Sequence, residues 1–246
     1  EGSDSTTIRE AAVANGFTII EDPARLSGEL PPGKVLGLFA NGHLPERMRG
    51  EVARYIERND GVPVWPEPFS CELNPDFGDT PSLADMTRVA LDRLDNDDGF
   101  MLMIESASID KAAHYWRACG HIGEMQQLDE TTAVALEYAA KHPETLVLVT
   151  ADHGQPAQMI PNISGLAEQN HAPTGRFARI RTLEGGIMGV SYATNDSELW
   201  EEHSGVQIPL YASGPGIDRL PQYLHQSDIF RIAASHLGLG DTWPGQ

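Results

Sequence analysis

Glu105, Asp110 and His114 fall within ten residues of one another in the stretch IESASIDKAAH, residues 104–114. Asp110 and His114 stand four apart, so on a helix both project from one face, near enough to share an ion. Glu105 ends the apolar run GFMLMI, and Asp152–His153 end another, TLVLVTADH. His203 lies in EEHSG, just ahead of QIPLYASGPG. Each piece alone has a plain reading. An Asp–His pair at helical spacing is a surface salt bridge, and an Asp–His dipeptide after a strand is a loop or cap. Carboxylates and imidazoles together are what Zn²⁺ takes, commonly with one position left open for catalysis. Gathered at the ends of successive strands, they point to a metal-dependent hydrolase.

The elements that must position these residues alternate along the chain. Apolar runs of strand length occur at 34–40, 99–104, 145–151, 186–193 and 207–212. The second and third are almost continuously apolar, the pattern of strands covered on both faces. Between them, TPSLADMTRVALDRL predicts a helix with Thr80 as N-cap, Pro81 in the first turn, and Leu83, Met86, Ala90 and Leu94 on one stripe. Residues 122–140 predict a longer helix ending before Pro143, and 227–237 a last one. Alternation of this kind predicts an α/β sandwich around a mostly parallel sheet. In open α/β sheets, sites form at the carboxyl ends of strands, where Glu105 and Asp152–His153 fall. Residues 60–80 and 155–185 read as long loops.

Composition narrows the partners. The chain has 246 residues, enough to bury a full core, and no apolar run approaches the roughly 18 residues of a membrane span. Thirty-six acidic residues oppose 17 basic ones, for a net charge of −19, and only Lys34, Lys111 and Lys141 are lysines. Such a surface repels nucleic acid and anionic membranes. It fits either a protein kept soluble at high salt, where screening removes self-repulsion, or an ordinary acidic protein. Cys71 and Cys119 are either buried free thiols or, given their polar, turn-rich neighbourhoods, a disulfide of an oxidising compartment. The chain opens EGSD, with neither an initiator Met nor a signal peptide, and reads as processed or excised.

From about residue 7 onward the chain resembles the C-terminal half of bacterial periplasmic alkaline phosphatases. The segments TIREAAVANGF, LGLFANGHLPER, TPSLADMT, GFMLMIESASIDKAAH, ACGHIGEMQQLDE, LVLVTADH, EEHSG and YASGPG carry the likeness. ESASIDKAAH, TADH and EHSG are specific to the family in this order. The resemblance implies a three-layer α/β/α sandwich of the alkaline phosphatase-like type, incomplete, with residues 1–246 the C-terminal portion of a single domain. It implies hydrolysis of phosphomonoesters, with inorganic phosphate as product, by two Zn²⁺ and one Mg²⁺ beside a serine that forms a phosphoserine intermediate. Asp110, His114 and His203 resemble the protein ligands of the first zinc, Asp152 and His153 two ligands of the second, and Glu105 a magnesium ligand. Lys111 resembles the lysine that reaches phosphate through water. Cys71 and Cys119 match a family disulfide, which implies a periplasmic or secreted protein. A homodimer, or an N-terminal complementing segment, is the protein partner implied.

Two departures qualify the likeness. The family's DSA-type serine motif and its phosphate-gripping arginine have no match here, so the nucleophile is expected outside this chain and the chain alone is expected to be inactive. DST at residues 4–6 runs straight into a later family segment and reads as a surface tail. Gln155 stands where the family often has a histidine that hydrogen-bonds a zinc-ligating carboxylate; its amide can still donate but cannot titrate. The alternatives are an inert zinc-binding fragment or complementing half, and a phosphodiesterase or phosphomutase of the same superfamily.

Overall fold

The computed structural model describes residues 6–155, 157–160, 172, 175–193 and 199–240. Helix α1 (Ile8–Ala14) starts on a reciprocal cap, in which Thr7 and Glu10 satisfy each other's backbone N–H groups. Strand β1 (Phe17–Ile20) follows and pairs in parallel with β2 (Lys34–Gly37). Short antiparallel pairs come next: β3 (Met48–Arg49) with β7 (Glu72–Leu73), and the hairpin β5 (Glu57–Asn59) with β6 (Val62–Val64). Asp60 and Gly61 both take positive φ, 50° and 81°, which is the turn that matches hairpin twist. The region 60–80, expected to be loop, therefore carries two short strands.

Helix α2 (Leu83–Leu94) is capped by Ser82, whose hydroxyl accepts from the Asp85 N–H, so the cap lies two residues beyond the expected Thr80. Its buried face, Ala84, Thr87 and Leu91, packs with Val134 of α4 (Ala118–Lys141), and Phe100, Leu102 and Tyr138 close this cluster. Helix α3 (Ser108–His114) buries Ala112 and Ala113 completely, and it packs on α4. Gly123 of α4 lies against Met48; a Cβ there would come within 2.9 Å of the Met48 backbone nitrogen. Helix α5 (Gln226–His236) follows later in the chain.

The largest sheet is antiparallel, in the order β4 (Arg54–Tyr55), β10 (Arg176–Arg181), β11 (Ile187–Tyr192), β9 (Gln158–Ile160). Its inner face contributes Ala178, Ile180, Val190 and Tyr192 to a core shared with Ala53, Trp116 and Ala118. β8 (Val147–Val149) pairs antiparallel with β12 (Tyr211–Ser213). Among the described residues the ladders are thus mostly antiparallel, against the expected parallel sheet, and β1–β2 is the parallel strand pair. Residues 99–104, expected to be a strand, form no ladder. Phe100 and Leu102 turn toward α2 and α4, while Met101 and Met103 stay exposed, so the run is extended and packed on one side by helices rather than paired. Apolar composition supplied a surface to bury, but a strand also needs hydrogen-bonding partners.

Candidate metal centre

Three segments converge on one point. Helix α3 brings Asp110 and His114, the turn after β8 brings His153, and the segment before β12 brings His203. Trp116, at φ 56°, turns the chain between α3 and α4 and fixes where α3 ends. The two later segments touch through a bridge between Gly154 and Ser204, in which the Ser204 N–H donates to the Gly154 carbonyl at 2.8 Å. A Cβ on Gly154 would run into Val206 and Ser204, so this close approach requires glycine. A second tie runs from the Glu201 N–H to the His114 carbonyl, 2.9 Å.

The result is a compact ligand set. His114 Nε2 lies 3.2 Å from Asp110 Oδ1, His203 Nε2 lies 3.3 Å from the same oxygen, and the two Nε2 atoms are 3.0 Å apart. Three ligands at roughly 2.0–2.2 Å from a tetrahedral ion stand about 3.3 Å from one another, so these atoms fit around a zinc-sized cation. A single proton could join two of them; a divalent ion satisfies all three. Among the described residues, no other set of three His, Cys, Asp or Glu closes this tightly.

The remaining expected residues are placed unequally. The His153 ring stacks on that of His203 with centroids 3.4 Å apart, and its Nε2 is 3.8 Å from Asp110 Oδ1 and 3.4 Å from Asp152 Oδ2. Its Nδ1 is buried with no hydrogen-bond partner among the described residues. Asp152 is largely exposed, and its carbonyl accepts from Gln226 at 3.0 Å. Gln155 donates from Nε2 to Asp110 Oδ1. Glu105 and Lys111 lie apart from the triad, on the wall of a cavity of about 260 Å³ that Ser106, Ser108, Glu124 and Gln127 also line. Burial pushes the His121 imidazole down, an effect opposed by the charge of Asp110. Two residues that sequence spacing does not reveal are Trp116 and Glu201: the indole N–H donates to the buried Glu201 carboxylate at 2.6 Å across 85 residues of chain. The disulfide between Cys71 and Cys119 is formed, with Cα atoms 5.3 Å apart. Among the described residues, no helix is long and apolar enough to cross a membrane.

Comparison with known proteins gives a consistent family. The alkaline phosphatase family matches residues 3–199, a range that includes Asp110 and His114 and stops short of His203. An alkaline phosphatase of Escherichia fergusonii is 39% identical over 95% of this chain and 48% of its own length. Streptomycin-6-phosphate phosphatase of Streptomyces griseus is 35% identical over 95% of this chain and 51% of its own. The chain thus spans about half the length of the curated relatives it matches. The crystal structure of Thermus thermophilus alkaline phosphatase aligns with 98% of this chain and 60% of its own at a TM-score of 0.63; its identity of 18% speaks to the fold alone.

These alignments correct three expectations. The likeness runs over 95–98% of the chain, so an alkaline phosphatase-like α/β/α fold is matched across almost all of it, which corrects the expected match to a C-terminal portion alone. The resemblance is corrected in the same way: it runs along nearly the whole chain. The expectation that the serine lies outside this chain is withdrawn with it. The family match begins at residue 3 and takes in DST, of which Asp4 and Ser5 lie outside the described residues. A family match over most of the chain, relatives 35–39% identical along 95% of it and a metal-ready ligand set lead to one conclusion: the chain belongs to the alkaline phosphatase family.

Proposed function

We propose that the protein hydrolyses phosphate monoesters, with a zinc ion held by Asp110, His114 and His203. The observation that carries this reading is the convergence of one carboxylate oxygen and two imidazole nitrogens at 3.0–3.3 Å. A zinc ion bound there supplies Lewis acidity toward the phosphate ester. The protein's own part is orientation. His114 donates from Nδ1 to the Glu201 carbonyl, which leaves Nε2 as a lone-pair ligand facing Asp110 and His203. Gln155 donates to the Asp110 oxygen that faces the two histidines and so helps to orient the carboxylate.

Within the same reading, Asp152 and His153 belong to a second zinc and Glu105 to a magnesium. The buried Nδ1 of His153 and the closeness of its ring to Asp152 support the former. Lys111, beside Glu105, is the cation that attracts the phosphate dianion in a strongly acidic protein. The disulfide supports a periplasmic or secreted location, because such bonds persist where the compartment is oxidising.

The test is zinc binding followed by turnover. The protein should take up Zn²⁺ tightly at this centre, and His203→Ala should abolish that binding. Chelation or His203→Ala should likewise remove hydrolysis of p-nitrophenyl phosphate. Unchanged zinc affinity in His203→Ala would refute the assignment. A diester hydrolysed in preference to the monoester would redirect it to phosphodiester chemistry.

A further inference from the structure

Glu201 is 1% exposed, and a carboxylate so far from water is costly unless hydrogen bonds hold it. Its Oε2 accepts the indole N–H of Trp116 at 2.6 Å. Its backbone N–H donates to the His114 carbonyl at 2.9 Å, and its backbone carbonyl accepts from His114 Nδ1. One residue therefore meets His114 twice through its backbone and Trp116 once through its side chain. His203 follows two positions later.

Trp116 is itself held firmly. It is 7% exposed, takes the left-handed conformation, and its carbonyl accepts from the Ala53 N–H at 3.0 Å. The guanidinium of Arg176 lies 3.8 Å over its ring, and Arg176 pairs with Tyr192 in the β10–β11 register. The indole is thus a fixed point tied to the large antiparallel sheet.

We propose that Glu201 and Trp116 form a positioning pair that presets His114 and His203 for metal binding. This rests on reading those histidines as ligands. The indole N–H pins the Glu201 side chain, and the pinned residue holds its backbone carbonyl against His114 Nδ1. The ring then stays in the tautomer that presents Nε2 to the ion. The same anchor sets the start of the short path to His203, so one hydrogen bond in the core fixes two ligands. Neither residue touches the ion.

Zn²⁺ affinity, measured by chelator competition, tests the pair in the unsubstituted protein and in Glu201→Leu, Glu201→Gln and Trp116→Phe. Loss of an outer-shell partner weakens metal binding about tenfold or more, so Glu201→Leu and Trp116→Phe should each show that loss. Glu201→Gln should stay close to the unsubstituted protein, because its amide oxygen still accepts the indole N–H. A purely structural role predicts a lower melting temperature in chelator with unaltered zinc affinity. Nitrogen-labelled histidine spectra of the metal-free protein should show the Nδ1–H form of His114 retained in Glu201→Gln and lost in Trp116→Phe. If Glu201→Leu fails to fold, Trp116→Phe and Glu201→Gln still decide. A folded Trp116→Phe that binds Zn²⁺ as tightly as the unsubstituted protein overturns the proposal while leaving the metal centre intact. An unsubstituted protein that binds no Zn²⁺ overturns the metal reading and this proposal with it.

Discussion

At the scale of single residues, Asp110 is the hub of the site. Its Oδ1 faces His114, His203 and His153, and also receives the amide of Gln155. Gln155 replaces the histidine that the family resemblance leads one to expect, and geometry shows the substitution keeps a donor at the carboxylate. Its other amide atom, Oε1, is buried with no partner among the described residues. Gln155→Leu removes the donor and should weaken zinc binding about tenfold, as outer-shell losses do. Gln155→His should keep the donor. Zinc affinity in Gln155→His should therefore stay close to that of the unsubstituted protein. A chelator-competition series checks both variants, and an unaltered affinity in Gln155→Leu would count against this role.

At the scale of elements, the site depends on where α3 ends and α4 begins. The disulfide acts on that junction, because Cys119 lies in the first turn of α4 and Cys71 beside β7. It closes a separation of 48 residues. In the chain-entropy picture a loop of that size contributes ~4 kcal/mol by limiting the unfolded state. Cys71→Ser with Cys119→Ser should therefore lower the urea midpoint by an amount equivalent to about 2–4 kcal/mol, the span usual for native disulfides. Two thiols titrating in the unreduced, denatured protein would show that the bond does not form.

At the scale of the whole molecule, charge dominates. A net charge of −19 with three lysines leaves much of the surface repelling itself. At 1 M salt the screening length is about 3 Å, against about 30 Å at 0.01 M, so raising NaCl removes most of that repulsion. The melting temperature should rise from low millimolar to molar NaCl, measured by scanning calorimetry. A flat or falling trend would mean that the ion pairs compensate the excess acid. Those present, such as Arg47–Glu130 at 2.7 Å and Arg49–Glu72 at 2.9 Å, are partly or largely exposed and should weaken over the same range.

Asp110 and His114 were legible as candidate ligands because their relation is local: they share a helix face by spacing alone. Helices α2 and α4 were legible from apolar periodicity, although α4 begins four residues earlier than expected, at Ala118. The strand order was not. GFMLMI has the composition of a buried strand, yet strand formation depends on partners remote in sequence, and composition carries no trace of them. Antiparallel pairing of β8 with β12 was equally hidden, since direction is set when two distant segments meet. The same holds within the site. His203 as a ligand type could be read from EEHSG, but its seat beside His153 depends on Gly154 letting two backbones touch. The bond from Trp116 to Glu201 spans 85 residues and exists only because the folded core brings an indole N–H to a buried carboxylate. Residue types and spacing determined which side chains can bind a metal; the tertiary structure alone decided which of them meet, because their separations are closed by packing that no local pattern encodes.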